Sequence, residues 1–363
     1  MFLKHILLVF LSIGILFSGD FDESWKEKYK DGTINKEFIL NKVPGNGFYN
    51  IYNENGIKTG TFVIEKGLAN GPYKEFYDNG KIKLEGTYLN EMQNGKITEY
   101  FKNGKIKKIA NLKQGYYEGE YKSFYENGQL KIDSTYKIQI GDNNKKLSFF
   151  IGDYKEFYES GKKKIEKHLI EKGKSEGVSI EYFDNYSNSI KYKFNFANGK
   201  LNGKFESFYK NGNIEYLEEY LKGKATGVHY KYYKSGKISE ETKFKDNKRI
   251  YSITYFENGK LKSELLFKNG LRNGKATSFY ENGNIKMEQM YINDIENGEL
   301  IRYFKNGKIK SKVDFINGKA EGMFYIYNQN GKLIQDTLYK NGIPISGFIY
   351  NEYGGKTPIT KWD

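Results

Sequence analysis

The chain has 363 residues, among them 40 Gly, 33 Tyr and 26 Phe but only 4 Pro and no Cys. The lack of Cys excludes disulfides, thiolate metal sites and a Cys nucleophile, and an aromatic content of 17% excludes a disordered chain. The net charge of +14 favours acidic partners, but the basic residues are dispersed, which argues against specific nucleic-acid binding.

Residues 1–19 read MFLKHILLVFLSIGILFSG. Lys4 provides a short positive start, an apolar run follows, and Ser18 and Gly19 are small. This is the layout of a secretory signal, so the protein is expected to be exported to the periplasm, the cell envelope or the medium. The run is short for a bilayer span, and bulky Leu16 and Phe17 disfavour cleavage, so an N-terminal membrane anchor stays open. Residues 20–46 lack the pattern that follows and contain Pro44; they read as an N-terminal leader or cap.

From residue 47 to 346 the chain repeats itself about every 24 residues, in about twelve copies. Copies begin at Gly47, Gly71, Gly95, Gly119, Gly152, Gly177, Gly203, Gly227, Ile250, Gly274, Gly298 and Gly322. An insertion near 138–151 lengthens the Gly119 copy, and residues 347–363 form a shortened C-terminal copy or cap. Counting from the leading glycine, positions +5 and +6 hold an aromatic pair such as Phe279-Tyr280. Asn-Gly follows, as in Asn282-Gly283, and a lone aromatic such as Tyr291 stands at +17. A second turn, such as Asn317-Gly318, often closes the copy.

Asn-Gly between aromatic-rich runs signals a β-hairpin with a two-residue type I′ turn, whose central residues both need φ > 0. That register pairs Glu281 with Asn284, Tyr280 with Ile285 and Phe279 with Lys286. It places Ser278, Tyr280, Ile285, Met287 and Tyr291 on one face, and Thr277, Phe279, Lys286 and Glu288 on the other. A lone hairpin is marginal in water, but stacked copies bury a continuous aromatic row. The expected fold is therefore all-β, an elongated twisted array of antiparallel β-hairpins with very little helix. The exceptions are informative: Tyr186 stands where a turn glycine belongs, and Tyr52-Asn53 and Tyr327-Asn328 replace the aromatic pair.

Nothing in the pattern carries catalysis, a cofactor or a metal. His168 and His229 occupy unrelated positions with no ligand cluster around them. The glycines are turn glycines rather than a phosphate loop, and carboxylate pairs such as Glu218-Glu219 recur as strand charges instead of marking one site. Strand alternation sends the two aromatics of each pair to opposite faces. The first of each pair, Phe76, Tyr100, Phe124, Phe208, Phe279 and Tyr303, makes a candidate binding row. Which row meets solvent stays open.

The repeat resembles the bacterial variant of the MORN repeat, as in the YwqK-like antitoxin repeat family. The phrase from Phe267 to Gly283, FKNGLRNGKATSFYENG, carries the likeness, as do Phe315 to Gly322 and Tyr88 to Gly95. It departs from the eukaryotic form, Tyr-x-Gly-x-Trp, because these copies hold no Trp. The resemblance implies a twisted run of hairpins serving as an interaction surface, and in the antitoxin-like branch a toxin as protein partner. The expected function is thus a non-enzymatic scaffold for protein–protein binding, with an antitoxin or immunity-like role as one form of it. Binding of an envelope polymer (peptidoglycan or polysaccharide), or of an anionic membrane through the N-terminal segment or the basic surface, is the alternative.

Overall fold

The computed structural model describes residues 24–141 and 145–361. The signal or anchor at 1–19, part of the insertion and Trp362 lie outside them. The described residues form 30 β-strands and one 3-10 turn, Glu171–Gly173. The chain divides into two compact units at Asn188/Ser189. Within each, strands pair antiparallel with their neighbours in sequence, as successive hairpins dictate.

The Asn-Gly turn is not the expected two-residue loop. Gly274–Phe279 pairs with Ile285–Ile292, with Ser278 opposite Met287 but Phe279 opposite Ile285, and the register shifts between them. Tyr280 N–H donates to the Asn284 carbonyl at 2.8 Å, and Gly283 N–H donates to the Tyr280 carbonyl at 2.9 Å. Only Gly283 has positive φ (97°). This is a three-residue loop, a type I turn closed by a glycine bulge. The pairings Glu281–Asn284, Tyr280–Ile285 and Phe279–Lys286 are therefore corrected. The type I′ turn exists, but at the second turn: Asn317 and Gly318 have φ of 50° and 78° between paired Ile316 and Lys319.

Freed from the left-handed region, Asn282 has another task. Its Oδ1 accepts from Asn284 N–H at 3.2 Å, and its Nδ2 donates to the carbonyl of Lys305, in the next copy, at 2.9 Å. Asn127, Asn211 and Asn306 reach the next turn in the same way. The Tyr at +6 adds a second rung. Tyr280 Oη donates to the Tyr303 carbonyl at 2.7 Å, and Tyr77, Tyr209 and Tyr233 make the same bond. At these copies a hairpin is thereby tied to its successor within the unit by side chains as well as by the strand ladder. Tyr280→Phe is expected to cost about 1 kcal/mol and to raise amide exchange of residues 298–309 without disturbing the 203–221 hairpin.

Residues 25–40, expected as leader, fold as a further hairpin. Trp25–Lys28 pairs with Ile34–Leu40, which pairs onward with Gly47–Tyr52. Its turn has the repeat's geometry, and Tyr29 Oη donates to the Tyr52 carbonyl at 3.0 Å. The pattern is hidden because Asp31-Gly32-Thr33 replaces Asn-Gly-Lys; Asp31 accepts from Thr33 N–H at 2.9 Å. The insertion lengthens one hairpin into strands Leu130–Ile140 and Lys146–Phe157. Asn53 and Asn328, at +6, cap their own turns by accepting two backbone N–H groups each.

One face of the sheet, here the core face, carries positions +2, +15 and +17. In the N-terminal unit it holds Phe38, Tyr49, Phe62, Ile64, Tyr73 and Tyr88, all buried against one another with Trp25 at their border. Tyr73 lies 5.8 Å from Phe62 and 4.7 Å from Tyr88 between ring centroids. A second group, Tyr121, Tyr136, Phe150 and Tyr154, continues in half-buried contact. The core face of the C-terminal unit departs from the expected aromatic row: beside His229 and Val313, its buried residues include Ser207, Thr242, Ser252, Gln289, Ser311 and Thr337.

Candidate functional site

The six rings of the candidate row are all half-buried. By strand alternation they lie on the outer face, opposite the core, near the Asn-Gly turns. Three belong to the N-terminal unit and three to the C-terminal unit. Two of them are held by carboxylates of the preceding copy. Tyr100 Oη donates to Glu85 at 2.6 Å, and Tyr303 Oη donates to Glu288 at 2.9 Å. Tyr52 with Glu37, Tyr182 with Glu166 and Tyr350 with Asp336 follow the same rule. In these five pairs a Tyr beside its turn answers an acid on the copy before it. At Phe76 and Phe124 the corresponding positions hold Thr61 and Ile109, whereas the copy before Phe279 carries Glu264 there.

These pairs shift ionisation. The Lys275 ammonium, helped by the Tyr303 hydroxyl and opposed by burial, holds the Glu288 carboxyl below its ordinary value. The Tyr52 hydroxyl does the same for Glu37. Burial and the Glu288 carboxylate push the Tyr303 hydroxyl up to about 12. A carboxyl depressed in the folded state contributes stability above its unfolded value, and that contribution is lost as pH falls through the folded value. Unfolding midpoints are therefore expected to fall below about pH 4, and Glu288→Gln should reduce that slope. Glu75 has the opposite sign: burial raises it, against the pull of Lys83, so acid relieves a cost there.

A second row lies over the aromatic pairs. Lys262, Lys286 and Lys310, at +12, place Nζ 5.8–5.9 Å from the ring centroids of Phe256, Tyr280 and Phe304. Such contacts hold a basic surface close to the rings.

The feature missed from sequence is aliphatic. On the outer face of the C-terminal unit, beside the type I′ turns, Leu271, Met290, Ile292, Ile295, Ile316 and Ile343 are exposed. Leu266 and Leu338, at +16, extend the strip. Ile316 and Ile343 keep 55% and 63% of their surface in water, in a chain whose mean hydropathy is −0.75. The strip recurs beside the successive type I′ turns from Leu271 to Ile343. A Cβ on Gly298 would meet Met290 Cβ at 3.1 Å, and one on Gly318 would meet Ile295 Cγ2 at 3.5 Å. The leading glycine thus lies beneath the aliphatic of the preceding copy. The signal was present as aliphatics flanking the second turn, as in Tyr-Ile-Asn-Asp-Ile at 291–295. Their face followed only from the true register.

The core face of the same unit carries a cavity of about 160 Å³. Tyr216 and Phe244 wall it, and Glu218, Lys231, Glu240 and Arg249 supply charge. His229 lies beside it, 8% exposed, its ring 4.6 Å from Phe244 and its Nε2 2.9 Å from the Glu219 carbonyl. His168 is elsewhere, in the N-terminal unit, with Nδ1 3.0 Å from Asp153. Among the described residues no group of three or more His, Asp or Glu side chains is arranged to hold a metal ion. Among them, too, no helix is long and apolar enough to cross a membrane.

No curated protein matches the chain in sequence. Solved structures give weak likenesses. A chain of the TcdB2–TccC3 complex is 12% identical over 92% of this chain and 18% of its own length, with a TM-score of 0.15. A chain of the Photorhabdus luminescens Tc holotoxin pore is 11% identical over 92% and 23%, with a TM-score of 0.17. A porin-like protein from Bacteroides uniformis is 10% identical over 69% and 92%, with a TM-score of 0.15. The chain spans less than a quarter of the length of the two toxin chains, and likenesses this slight define neither its fold nor its function. The repeat itself is diagnostic. The model of the MORN repeat variant matches ten segments, from 69–90 through 201–222 to 320–341, and these include more than half of the residues. Their bounds run between the type I′ turns rather than between leading glycines, which agrees with the hairpin as the structural unit. The chain is therefore a member of the MORN repeat variant family.

Proposed function

We propose that this MORN repeat protein is a non-enzymatic scaffold that binds a protein partner, in the manner of an antitoxin or immunity protein, after export from the cytoplasm. One observation carries the reading. The C-terminal unit exposes a row of aliphatic side chains that recurs beside its successive turns, and exposed apolar surface on a folded chain marks an interaction site. The repeats supply a rigid platform for it, because strand ladders and turn rungs tie neighbouring hairpins of the unit together. Affinity capture with the full chain from an envelope extract of the source cell tests this. One saturable protein partner is expected; retention of none above a bare-resin control would end the proposal. Co-expression of that partner with and without the chain then tests neutralisation.

The cavity beside His229 favours a second reading, an envelope saccharide. Aromatic walls with both carboxylates and cations suit a neutral polyhydroxyl ligand. Co-sedimentation with purified peptidoglycan at low salt is the test, and absence from the pellet removes it.

A further inference from the structure

We infer that the aliphatic strip of the C-terminal unit is a docking face for an amphipathic α-helix of the partner, read in register by one acidic pair. This rests on the protein-binding reading and specifies its surface. Cross-strand partners set the chemistry of the strip. Ile292 faces Ile295 across one type I′ turn. Leu271 faces Lys268, Ile316 faces Lys319, Ile343 faces Lys340, and Met290 faces Lys275. The apolar side chains are thus flanked by exposed ammonium groups.

Leu266 faces Tyr251 and Leu338 faces Met323, and at one step the cross-strand pair is acidic. Glu299 lies directly opposite Asp314, at the positions that Lys275 and Met290 occupy one copy earlier. Both are exposed, and neither has an ion-pair partner among the described residues. Like charges directly opposite one another on a sheet are destabilising, so this pair works against the fold unless a cation arrives.

The spacing fits a helix. Successive hairpins advance by two strand spacings, about 10 Å, and a helix covers that distance in about seven residues at 1.5 Å each. From Leu271 to Ile343 the strip crosses four copies, or about 30 Å, which a helix of about 20 residues spans. Its apolar residues should recur every seven, with neighbours three or four away. Acidic residues should border the ridge to meet Lys268, Lys319 and Lys340, and one basic residue should interrupt it to meet Glu299 and Asp314. An anionic bilayer satisfies the lysines but not this acidic pair, so the helix is favoured.

The test uses the full chain and a designed 21-residue peptide. The peptide carries Leu at the seven-residue spacing, Glu on its flanks and one central Arg; a scrambled peptide of equal composition serves as control. Fluorescence anisotropy should show the matched peptide binding at least tenfold more tightly. Ile292→Glu with Ile316→Glu should abolish the difference; both side chains are exposed, so the sheet should keep its circular dichroism. Asp314→Lys should weaken the Arg peptide and strengthen its Arg→Glu counterpart. Equal affinity of matched and scrambled peptides, or no reversal with Asp314→Lys, overturns the inference. So does flotation of the chain with phosphatidylglycerol vesicles, lost in the double variant, without peptide discrimination. If a captured natural partner still binds the double variant, the scaffold reading stands and the strip inference falls alone.

Discussion

Tyr73→Ala is expected to destabilise the N-terminal unit by about 4 kcal/mol, the range for deleting a fully buried aromatic. Tyr73 is 1% exposed. Its ring is stacked on Phe62 and packed against Tyr88, and its Oη accepts a hydrogen bond from Gln93 Nε2 at 2.6 Å. Nothing on a single sheet can collapse into the vacancy, because Gly86 lies directly opposite. The same glycine provides an internal check. A Cβ at Gly86 would sit 3.0 Å from the Tyr73 ring and 2.8 Å from Ile97 Cγ2. Gly86→Ala alone should therefore cost stability, yet in the Tyr73→Ala background it should partly refill the space. The two losses should sum to more than the double variant shows. Guanidinium unfolding of the four proteins measures this, and strict additivity would refute the packing account. Tyr49 offers the contrast. Its hydroxyl is buried with no hydrogen-bond partner among the described residues, so Tyr49→Phe should be neutral or stabilising.

Gly47→Ala should cost about 3 kcal/mol, the upper end of overpacking. The reason is contact rather than conformation, because Gly47 is not in the left-handed region. A Cβ there would lie 2.2 Å from the Ile39 carbonyl oxygen and 2.8 Å from two atoms of the Phe38 ring. That carbonyl is held where it is by the pairing of Leu40 with Gly47 and Ile39 with Phe48. Turn glycines behave differently. Gly56 has φ 72° and nothing within 4 Å of a built Cβ, so Gly56→Ala should cost only the left-handed penalty of about 1–2 kcal/mol. Amide exchange of residues 34–52 distinguishes the two. The first variant should open the sheet there; the second should alter only its own turn. An array folds by nearest-neighbour contacts, so in both variants the C-terminal unit should stay protected.

The repeat period, the turn sites, the place of the insertion and the all-β class were legible in the order of amino acids. Turn chemistry and strand alternation are local, and copies that recur reinforce each weak signal. The partition of Ser278, Met287 and Tyr291 from Thr277, Phe279, Lys286 and Glu288 was legible for the same reason, but Tyr280 and Ile285, expected with the first set, are displaced by the turn: Tyr280 closes the loop and Ile285 lies opposite Phe279. The turn type was not legible. Asn282-Gly283 satisfies both a type I′ loop and a type I turn with a glycine bulge. The structure has the latter, which leaves the Asn282 amide free to reach the Lys305 carbonyl of the next copy. The hairpin at 25–40 escaped notice because its Asp-Gly-Thr turn shares geometry with the others but not letters.

Chain order alone therefore determined what each hairpin is, since backbone preferences and side-chain alternation act within a few residues. Only the tertiary structure decided what the hairpins make together. A one-residue change of register at a turn or a bulge moves every later side chain to the other face, so the buried rings of the N-terminal unit, the polar core face of the C-terminal unit and its aliphatic strip had no place until neighbouring copies were stacked.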